Sequence, residues 1–164
     1  KVELCGVYVE RRETYMFYGE YQHNVDEKGR IIIPAKFREQ LGEIFYVTID
    51  LWGQSEETCL YVYPEADFKA LCEKLRTMGS TDQDTRKLLR RFYSRVQDTS
   101  TDKQGRIVLM QELRDHAGLE KEIVLVGQDN HIEIWDRDKW TAYNNDDSFY
   151  NSGKLAEGLR AGGV

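Results

Sequence analysis

The sequence predicts an α+β fold, mainly β, in which two copies of one supersecondary unit interleave into a small β-barrel with helices outside. Three observations support this prediction: an internal repeat, apolar strands that begin directly after glycine turns, and short helices that follow those strands. The repeat is the strongest evidence, because identical residues recur at a constant offset of 76 positions. The identical pairs are Asp26/Asp102, Gly29/Gly105, Arg30/Arg106, Ile31/Ile107, Arg38/Arg114 and Gly42/Gly118.

Each copy opens with a polar turn that leads into a strand. The pattern Asp-x-x-Gly-Arg places a turn former and a glycine that can adopt positive φ before β-branched residues, which is typical of a hairpin tip. We therefore expect Arg30 and Arg106 to be displayed at rigid bends. The aspartates are expected to orient the loops through a turn hydrogen bond or a salt bridge to the arginine. The loop-orienting residues are Asp26, Asp102, Gly29 and Gly105.

Short helices and further strands follow each turn. A helix closed by a C-terminal glycine is predicted over 34–42 and again over 111–118. Alternating apolar residues then predict the strands of a sheet. These strands cover residues 45–49, 60–63, 123–126 and 132–135.

Two longer helices complete the predicted elements. Residues 64–78 carry apolar side chains at helical spacing, and Cys72 within this helix is expected to be a core thiol. Residues 86–95 form a basic amphipathic helix, with Ser80 or Thr81 as its N-cap. Its charges could bind DNA, but its apolar positions favour packing between the two halves.

The predicted boundaries divide the chain into two repeats and two ends. Residues 1–15 lack the long apolar run of a signal peptide or membrane span, and we expect an N-terminal extension outside the native core, which begins at Met16. The predicted parts are the extension (1–15), the first repeat (16–80), a linker helix with the second repeat (81–143), and a weakly ordered tail (144–164) with a short helix near 154–160.

The ordered matches along the chain resemble the MraZ family of bacterial transcriptional regulators, which belongs to the AbrB-like group of swapped-hairpin DNA-binding proteins. The resemblance extends from about residue 16 to residue 143, and a series of ordered motifs is far more specific than one short motif. The segments that carry it are 16–21, 26–38, 105–107, 117–121, 125–127 and 132–136.

The resemblance implies a fold, a ligand and an assembly. The fold would be a duplicated AbrB-like swapped-hairpin double-split β-barrel with flanking helices, and the duplication would place a pseudo-dimer in one chain. The ligand would be double-stranded DNA that carries G-rich direct repeats upstream of the protein's own operon, a division and cell-wall gene cluster. The protein would assemble with itself into a homo-oligomeric ring and act as a repressor.

The DNA-contacting signature of the family, Asp-x-x-x-Arg, occurs in both copies, so the resemblance implies that Arg30 and Arg106 contact DNA. An arginine can donate two hydrogen bonds to O6 and N7 of guanine, which suits a G-rich site. Neighbouring basic side chains would neutralise phosphates. The candidate DNA-binding residues are Arg30, Arg106, Lys28, Lys36, Arg38, Arg114 and Lys103.

The second copy departs from the first at two positions after the strand. Met110 takes the place of Pro34, and Glu112 takes the place of Lys36. The loss of one positive charge and of the proline leads us to expect that the second copy contacts DNA less closely.

The overall charge argues against DNA binding through the whole surface, because the net charge is −6 and the pI is about 5.2. The distribution of charge is uneven, however. Residues 28–38 contain four basic residues and no acidic one, and residues 86–106 contain seven basic residues against two acidic ones. A local basic surface is therefore compatible with the acidic composition.

Neither a cofactor nor a metal is expected. The three histidines and three cysteines never adopt the spacing of a zinc site. Cys59, in an apolar strand, is expected to be a second core thiol. So few cysteines, odd in number, indicate the reducing cytoplasm, where a DNA-binding protein would associate with the nucleoid.

Two alternatives to DNA binding remain at this point. The sequence has no glycine-rich phosphate loop and no nucleophile elbow, so we do not expect an enzyme. A hydrolase that uses Asp26, His23 and Arg30 is the main alternative from another class, but the second copy has Thr99 at the position equivalent to His23. The other alternative is an antitoxin-like or protein-binding module on the same fold.

Overall fold

The computed structural model of the protein describes residues 3–4, 7–8, 16–51, 58–78, 82–147 and 154–162. Within these ranges the strands are β1 (Glu3–Leu4), β2 (Val7–Tyr8), β3 (Glu20–Asn24), β4 (Arg30–Ile32), β5 (Phe45–Ile49), β6 (Leu60–Pro64), β7 (Gln97–Thr99), β8 (Arg106–Val108), β9 (Glu122–Gln128) and β10 (His131–Asp136). The helices are α1 (Ala35–Leu41), α2 (Glu65–Thr77), α3 (Gln83–Tyr93), α4 (Gln111–Ala117), α5 (Arg137–Asn144) and α6 (Lys154–Ala161). β1 pairs with β2, β4 pairs with β8, and the remaining strands form one sheet.

The six-stranded sheet shows that the two repeats exchange strands. Its order is β3-β9-β10-β6-β5-β7, and all neighbouring strands are antiparallel. β3 of the first repeat pairs with β9 of the second, and β7 of the second repeat pairs with β5 of the first. When each strand is replaced by its counterpart in the other repeat, the order reads the same in reverse. The chain therefore has pseudo-twofold symmetry, and the predicted α+β fold of two interleaved repeats is confirmed.

One hydrophobic core serves both repeats. Ile31 of β4 and Ile107 of β8 are 1% and 2% exposed. They belong to the same buried cluster as Phe37 of α1 and Leu113 of α4, which are both fully buried. Because side chains from equivalent positions of both repeats meet in one cluster, neither repeat completes this core alone.

A second, smaller apolar cluster lies on the other face of the sheet. Along β9, Ile123 and Leu125 belong to the main core, whereas the alternate residues Val124 and Val126 belong to the second cluster. The other members of the second cluster are Cys59 and Trp135, with Tyr61 and Trp140 packed against them. Both Cys59 and Cys72 are buried free thiols, as predicted.

The helices that follow the ribbon strands begin at equivalent positions in the two repeats. Pro34 precedes α1 with φ −51° and ψ 140°, and Met110 precedes α4 with φ −55° and ψ 143°. The exchange of proline for methionine therefore leaves the backbone unchanged. Gly42 and Gly118 follow the two helices with φ of 80° and 61°, in agreement with the predicted glycine ends.

The N-cap of the linker helix α3 was predicted one or two residues too early, at Ser80 or Thr81. Asp82 is the N-cap, because its Oδ1 accepts a hydrogen bond of 2.8 Å from the backbone N–H of Thr85. Ser80 and Thr81 lie outside the described residues. Phe92 of α3 is fully buried in the main core, which agrees with the predicted packing role of this helix.

Candidate nucleic-acid interface

The turn before β4 is closed by its aspartate. Oδ1 of Asp26 accepts hydrogen bonds of 2.9 Å from the backbone N–H groups of Lys28 and Arg30. Oδ2 accepts a hydrogen bond of 2.6 Å from Nε of Arg30. Two backbone hydrogen bonds complete the loop, from Gly29 N–H to the Asp26 carbonyl and from Asp26 N–H to the Arg30 carbonyl. One carboxylate thus fixes both the loop and the arginine side chain.

The turn before β8 repeats this arrangement. Oδ1 of Asp102 accepts hydrogen bonds of 2.9 Å from Gln104 N–H and 2.8 Å from Arg106 N–H, and Oδ2 accepts one of 2.8 Å from Arg106 Nε. In addition, Nη2 of Arg106 lies 3.3 Å from Oε1 of Gln104. The first turn has Lys28 at the position of this glutamine. The two turns therefore have the same backbone hydrogen bonds, but the residue beside the arginine is charged in the first turn and neutral in the second.

The hydrogen bonds lower the pKa of both aspartates. Those from the Arg30 backbone, followed by its side chain, hold the pKa of Asp26 below its ordinary value of 3.8. Arg106 lowers the pKa of Asp102 in the same way. Each arginine side chain retains 29% of its exposure while its Nε is bound to the carboxylate. Each carboxylate thus acts as a clamp that holds Nε of the arginine. The terminal nitrogens of the arginine can still donate to a ligand while this clamp stays in place.

The two arginines lie on one face of the β4–β8 ribbon. In its register, Arg30 is opposite Val108, Ile31 is opposite Ile107, and Ile32 is opposite Arg106. Side chains alternate between faces along a strand, and directly paired residues share a face. The inner face therefore carries the two buried isoleucines. The four side chains of the outer face are Arg30, Val108, Ile32 and Arg106.

Arg38 and Arg114 support the turns, and each supports the turn of the other repeat. A Cβ atom built at Gly29, where φ is 73°, would lie 2.7 Å from Cζ of Arg114. A Cβ atom at Gly105, where φ is 75°, would likewise meet the guanidinium of Arg38. Both glycines are buried, and Nε of each arginine is fully buried without a hydrogen-bond partner in the part of the chain that the structure describes.

This packing was missed by sequence reasoning, which placed Arg38 and Arg114 only among the candidate DNA-binding residues. The signal was present, because both members of each Gly–Arg pair recur identically in the two copies. Identity at equivalent positions does not reveal that the glycine and the arginine meet across the repeats. That information comes from the exchange of strands.

The candidate lysines have different surroundings. Lys28 and Lys103 are exposed in the two turns, at positions where they could reach a ligand bound to the ribbon. Lys36, in the first turn of α1, places its Nζ 3.3 Å from the centre of the Tyr18 ring. This contact lowers the pKa of Tyr18, through a hydrogen bond and the charge of Lys36. The ammonium group of Lys36 thus already contacts another side chain of the protein. The equivalent residue in the second repeat, Glu112, lines a different cleft beside α3.

A cleft of about 510 Å³ lies beside the ribbon and is lined by Arg30, Arg106 and His23, among others. Its position allows a test of the hydrolase alternative. Burial lowers the pKa of His23 and favours the neutral imidazole that a general base needs. Both oxygens of Asp26, however, are already bound to the turn and to Arg30. The structure therefore gives Asp26 a role in holding the turn and Arg30.

Within the described ranges, no group of three or more histidine, cysteine, aspartate or glutamate side chains could hold a metal ion. No helix in those same ranges is long and apolar enough to cross a membrane.

Comparison with known proteins identifies relatives over most of the chain. The model of the family described as "MraZ protein, putative antitoxin-like" matches residues 16–91 and again residues 92–159. The two matches meet at residues 91 and 92, near the end of α3, so the family unit is present twice.

Individual relatives match at comparable levels. The chain is 43% identical to "Transcriptional regulator MraZ" of Acetivibrio thermocellus, over 91% of this chain and 100% of that protein. It is 44% identical to the protein of the same name from Finegoldia magna, over 88% of this chain and 96% of that protein. The protein of that name from Heliobacterium modesticaldum is 46% identical, over 79% of this chain and 87% of its own length.

Proposed function

The chain belongs to the MraZ family, and from this premise we propose that it is a transcriptional regulator that binds double-stranded DNA sequence-specifically through its β4–β8 ribbon. The single observation that carries the proposal is the pair of clamped arginines on one face of that ribbon. A two-stranded ribbon fits the major groove of B-DNA, which is about 12 Å wide. The groove is also where a guanine can be distinguished from every other base.

The clamp determines how each arginine would read its base. Asp26 holds Nε of Arg30 at 2.6 Å, which leaves Nη1 and Nη2 as the outward donors. These two nitrogens match the spacing of O6 and N7 of guanine, and such a bidentate pair contributes about 1–3 kcal/mol of discrimination. Because the side chain is already ordered in the free protein, less conformational entropy is lost when DNA binds. Arg106, clamped by Asp102, would read a second guanine.

The basic residues around the ribbon would provide affinity without reading sequence. Lys28 and Lys103, exposed in the turns, would contact phosphates on either side of the groove. Arg38 and Arg114 would act mainly by holding the turns of the opposite repeat in place. We propose that Lys36 has the smallest effect of the set, since its ammonium already lies over Tyr18.

The target would be G-rich direct repeats in the protein's own promoter, upstream of the division and cell-wall gene cluster. We propose that copies of the chain assemble into a homo-oligomeric ring, so that repeats spaced by about one helical turn, ~10 bp, meet successive subunits on one face of the DNA. Tyr143, which stacks on the buried Trp135 and is itself 47% exposed, is an aromatic side chain suited to such an interface. Binding over a promoter would exclude polymerase and repress the operon, and it would place the protein on the nucleoid in the cytoplasm.

The proposal is tested by fluorescence-anisotropy titration on DNA from upstream of the protein's own gene. Wild type, Arg30→Ala and Lys28→Ala are compared on intact repeats and on repeats in which guanines are replaced by adenine, at two salt concentrations. We expect Arg30→Ala to discriminate less than wild type between the two DNAs, because only Arg106 still contacts a guanine. We expect Lys28→Ala to weaken binding to both and to reduce the salt slope by about one. Weak binding by wild type that ignores the guanines would refute the proposal.

An antitoxin-like role, in which the same fold binds a protein partner, predicts a different outcome. If the ribbon serves only as a protein-binding surface, Arg30→Ala and Lys74→Ala on α2 would have equally small effects on DNA binding. If the ribbon reads DNA, Arg30→Ala reduces guanine selectivity and Lys74→Ala does not. Lys74 is a suitable control because it is an exposed basic residue that is not part of the ribbon.

A further inference from the structure

The outer face of the ribbon carries two apolar side chains beside its two arginines. Ile32 is 43% exposed and Val108 is 54% exposed, whereas Ile31 and Ile107 on the inner face are almost completely buried. Isolated exposed aliphatic residues are common on protein surfaces and need no special explanation. The location of these two, on the face proposed to enter the major groove, makes their chemistry relevant.

Each apolar residue lies directly opposite a clamped arginine. Val108 is paired with Arg30, and Ile32 is paired with Arg106. Residues paired in this way have Cβ atoms about 4.5–5.5 Å apart. Successive base pairs of B-DNA are separated by about 3.4 Å. An arginine that contacts one guanine therefore brings its apolar partner within one or two base pairs of that guanine.

The backbone of the ribbon holds the apolar residues in place. The carbonyl of Val108 accepts a hydrogen bond of 2.6 Å from Nε2 of Gln97. The N–H of Leu109 donates to the Gly29 carbonyl at 3.0 Å, and the N–H of Ile33 donates to the Gly105 carbonyl at 2.9 Å. The last two bonds connect the residue that follows each apolar residue to the turn of the opposite repeat. The four outer side chains thus form one ordered reading surface.

The chemistry of this surface selects one base. In the major groove, thymine presents a C5-methyl group, and apolar side chains recognise thymine by contact with it. Adenine, cytosine and guanine instead present donors and acceptors that an aliphatic side chain leaves unpaired. We propose that Val108 and Ile32 are specificity-determining residues that read the methyl groups of thymines next to the guanines bound by Arg30 and Arg106. This inference rests on the proposed function and adds thymine to the recognised sequence.

Replacement of thymine by deoxyuridine tests the inference, because it removes only the methyl group and preserves base pairing. Duplexes carrying an intact repeat are compared with duplexes in which each thymine within two base pairs of a guanine is replaced in turn. We expect wild type to bind about three- to fivefold more weakly when a contacted thymine loses its methyl group. Replacement of a thymine outside the contacted positions leaves the affinity unchanged.

Variants connect each methyl group to one side chain. Val108→Ala is expected to bind thymine and deoxyuridine equally at one position, and Ile32→Ala is expected to do so at another. Ile44→Ala is the matched control, since Ile44 is 49% exposed and lies outside the ribbon. It should retain the full sensitivity of wild type at both positions. Circular dichroism of all three variants establishes that they remain folded, as expected for exposed side chains.

The possible results separate this inference from the proposed function. If wild type still selects guanine but binds thymine and deoxyuridine equally at every position, the inference is overturned and the proposed function stands. If Val108→Ala and Ile32→Ala keep the sensitivity of wild type, the methyl contact belongs to other residues and the inference is overturned. If wild type selects neither guanine nor thymine, the proposed function and this inference are both overturned.

Discussion

Asp26 and Asp102 show how one carboxylate can hold an arginine side chain in the position proposed for its contact with a DNA base. Each carboxylate accepts two backbone hydrogen bonds within its turn and one from the Nε of the arginine that ends the turn. A neutral turn former could close the loop, but an ionised carboxylate also forms an ion pair with the guanidinium. The same residue therefore determines the backbone of the turn and the direction of the donor.

The clamp predicts a specific acid dependence of stability. Both carboxylates have a folded-state pKa below the ordinary value of 3.8, so their stabilisation is present above about pH 4 and is lost as the pH falls through the folded pKa. In Asp26→Asn/Asp102→Asn this contribution is absent at every pH. We expect the free energy of unfolding of wild type to exceed that of the variant by a constant amount between about pH 5 and 7.

Urea denaturation of both proteins across the acid range measures this difference. The gap between them should close below about pH 4, because protonated carboxylates no longer hold the arginines. A gap that persists unchanged at pH 2 to 3 would show that the two carboxylates stabilise the fold through packing and not through their charge.

At the scale of elements, the exchange of strands means that each turn rests on a helix of the other repeat. Arg114 of α4 covers Gly29, and Arg38 of α1 covers Gly105. A glycine is required in each turn for two reasons, a φ above 70° and the close approach of a guanidinium. The reading loop of one repeat therefore depends on a residue of the other.

This dependence predicts energetic coupling between Gly29 and Arg114. Gly29→Ala places a Cβ 2.7 Å from Cζ of Arg114, and it also strains a backbone with φ 73°. In the background of Arg114→Ala the contact is absent and only the strain remains. We expect Gly29→Ala to destabilise the protein by about 1 kcal/mol less in that background than in wild type.

Arg38→Ala provides the matched control for this cycle, because Arg38 covers the other turn. The effects of Gly29→Ala and Arg38→Ala on the free energy of unfolding should add within about 0.5 kcal/mol. Equal coupling to both arginines, or to neither, would contradict the assignment of each turn to the helix of the opposite repeat.

At the scale of the whole molecule, the two repeats share one sheet, one ribbon and one hydrophobic core. Every interface between strands of different repeats is antiparallel: β3 with β9, β4 with β8, β6 with β10, and β5 with β7. Each repeat thus contributes its first strand to pairing with the other repeat. Neither the ribbon nor the hydrophobic core exists within one repeat.

Cleavage of the chain between α2 and α3 tests this unity. A protease site introduced there and cut in the folded protein should leave two fragments that remain associated at the size of the intact chain. Urea should then unfold them in one transition, seen identically by circular dichroism and by tryptophan fluorescence. Fragments that separate without denaturant, or two distinct transitions, would show that the repeats are independent domains.

Elements that depend on a few neighbouring residues could be predicted from the sequence. Contacts between residues far apart in the chain could be predicted much less well. The turns at Gly29 and Gly105 and the short helices that follow them could be predicted, because turn chemistry and glycine ends act over a few residues. The N-cap of α3 was placed too early, since Ser80, Thr81 and Asp82 all suit that position and only the observed bond to Thr85 N–H selects Asp82.

Contacts across the repeats could not be derived from spacing. The meeting of Arg38 with Gly105, and of Arg114 with Gly29, depends on strand exchange between segments far apart in the chain. The location of Ile32 and Val108 on the outer face likewise follows from the register of β4 and β8. A repeat in the sequence shows which residues are equivalent, but not which of them touch.

The most direct test of the central claim replaces single guanines of the bound repeat by 7-deazaguanine, which removes the N7 acceptor from the major groove and preserves base pairing. We predict that the affinity of wild type falls about 5- to 150-fold when either of two guanines is substituted, which is the range expected for one arginine–guanine contact. Arg30→Ala should be insensitive at one of them and Arg106→Ala at the other. If wild type binds every substituted duplex as tightly as the natural one, the ribbon does not read guanine in the major groove.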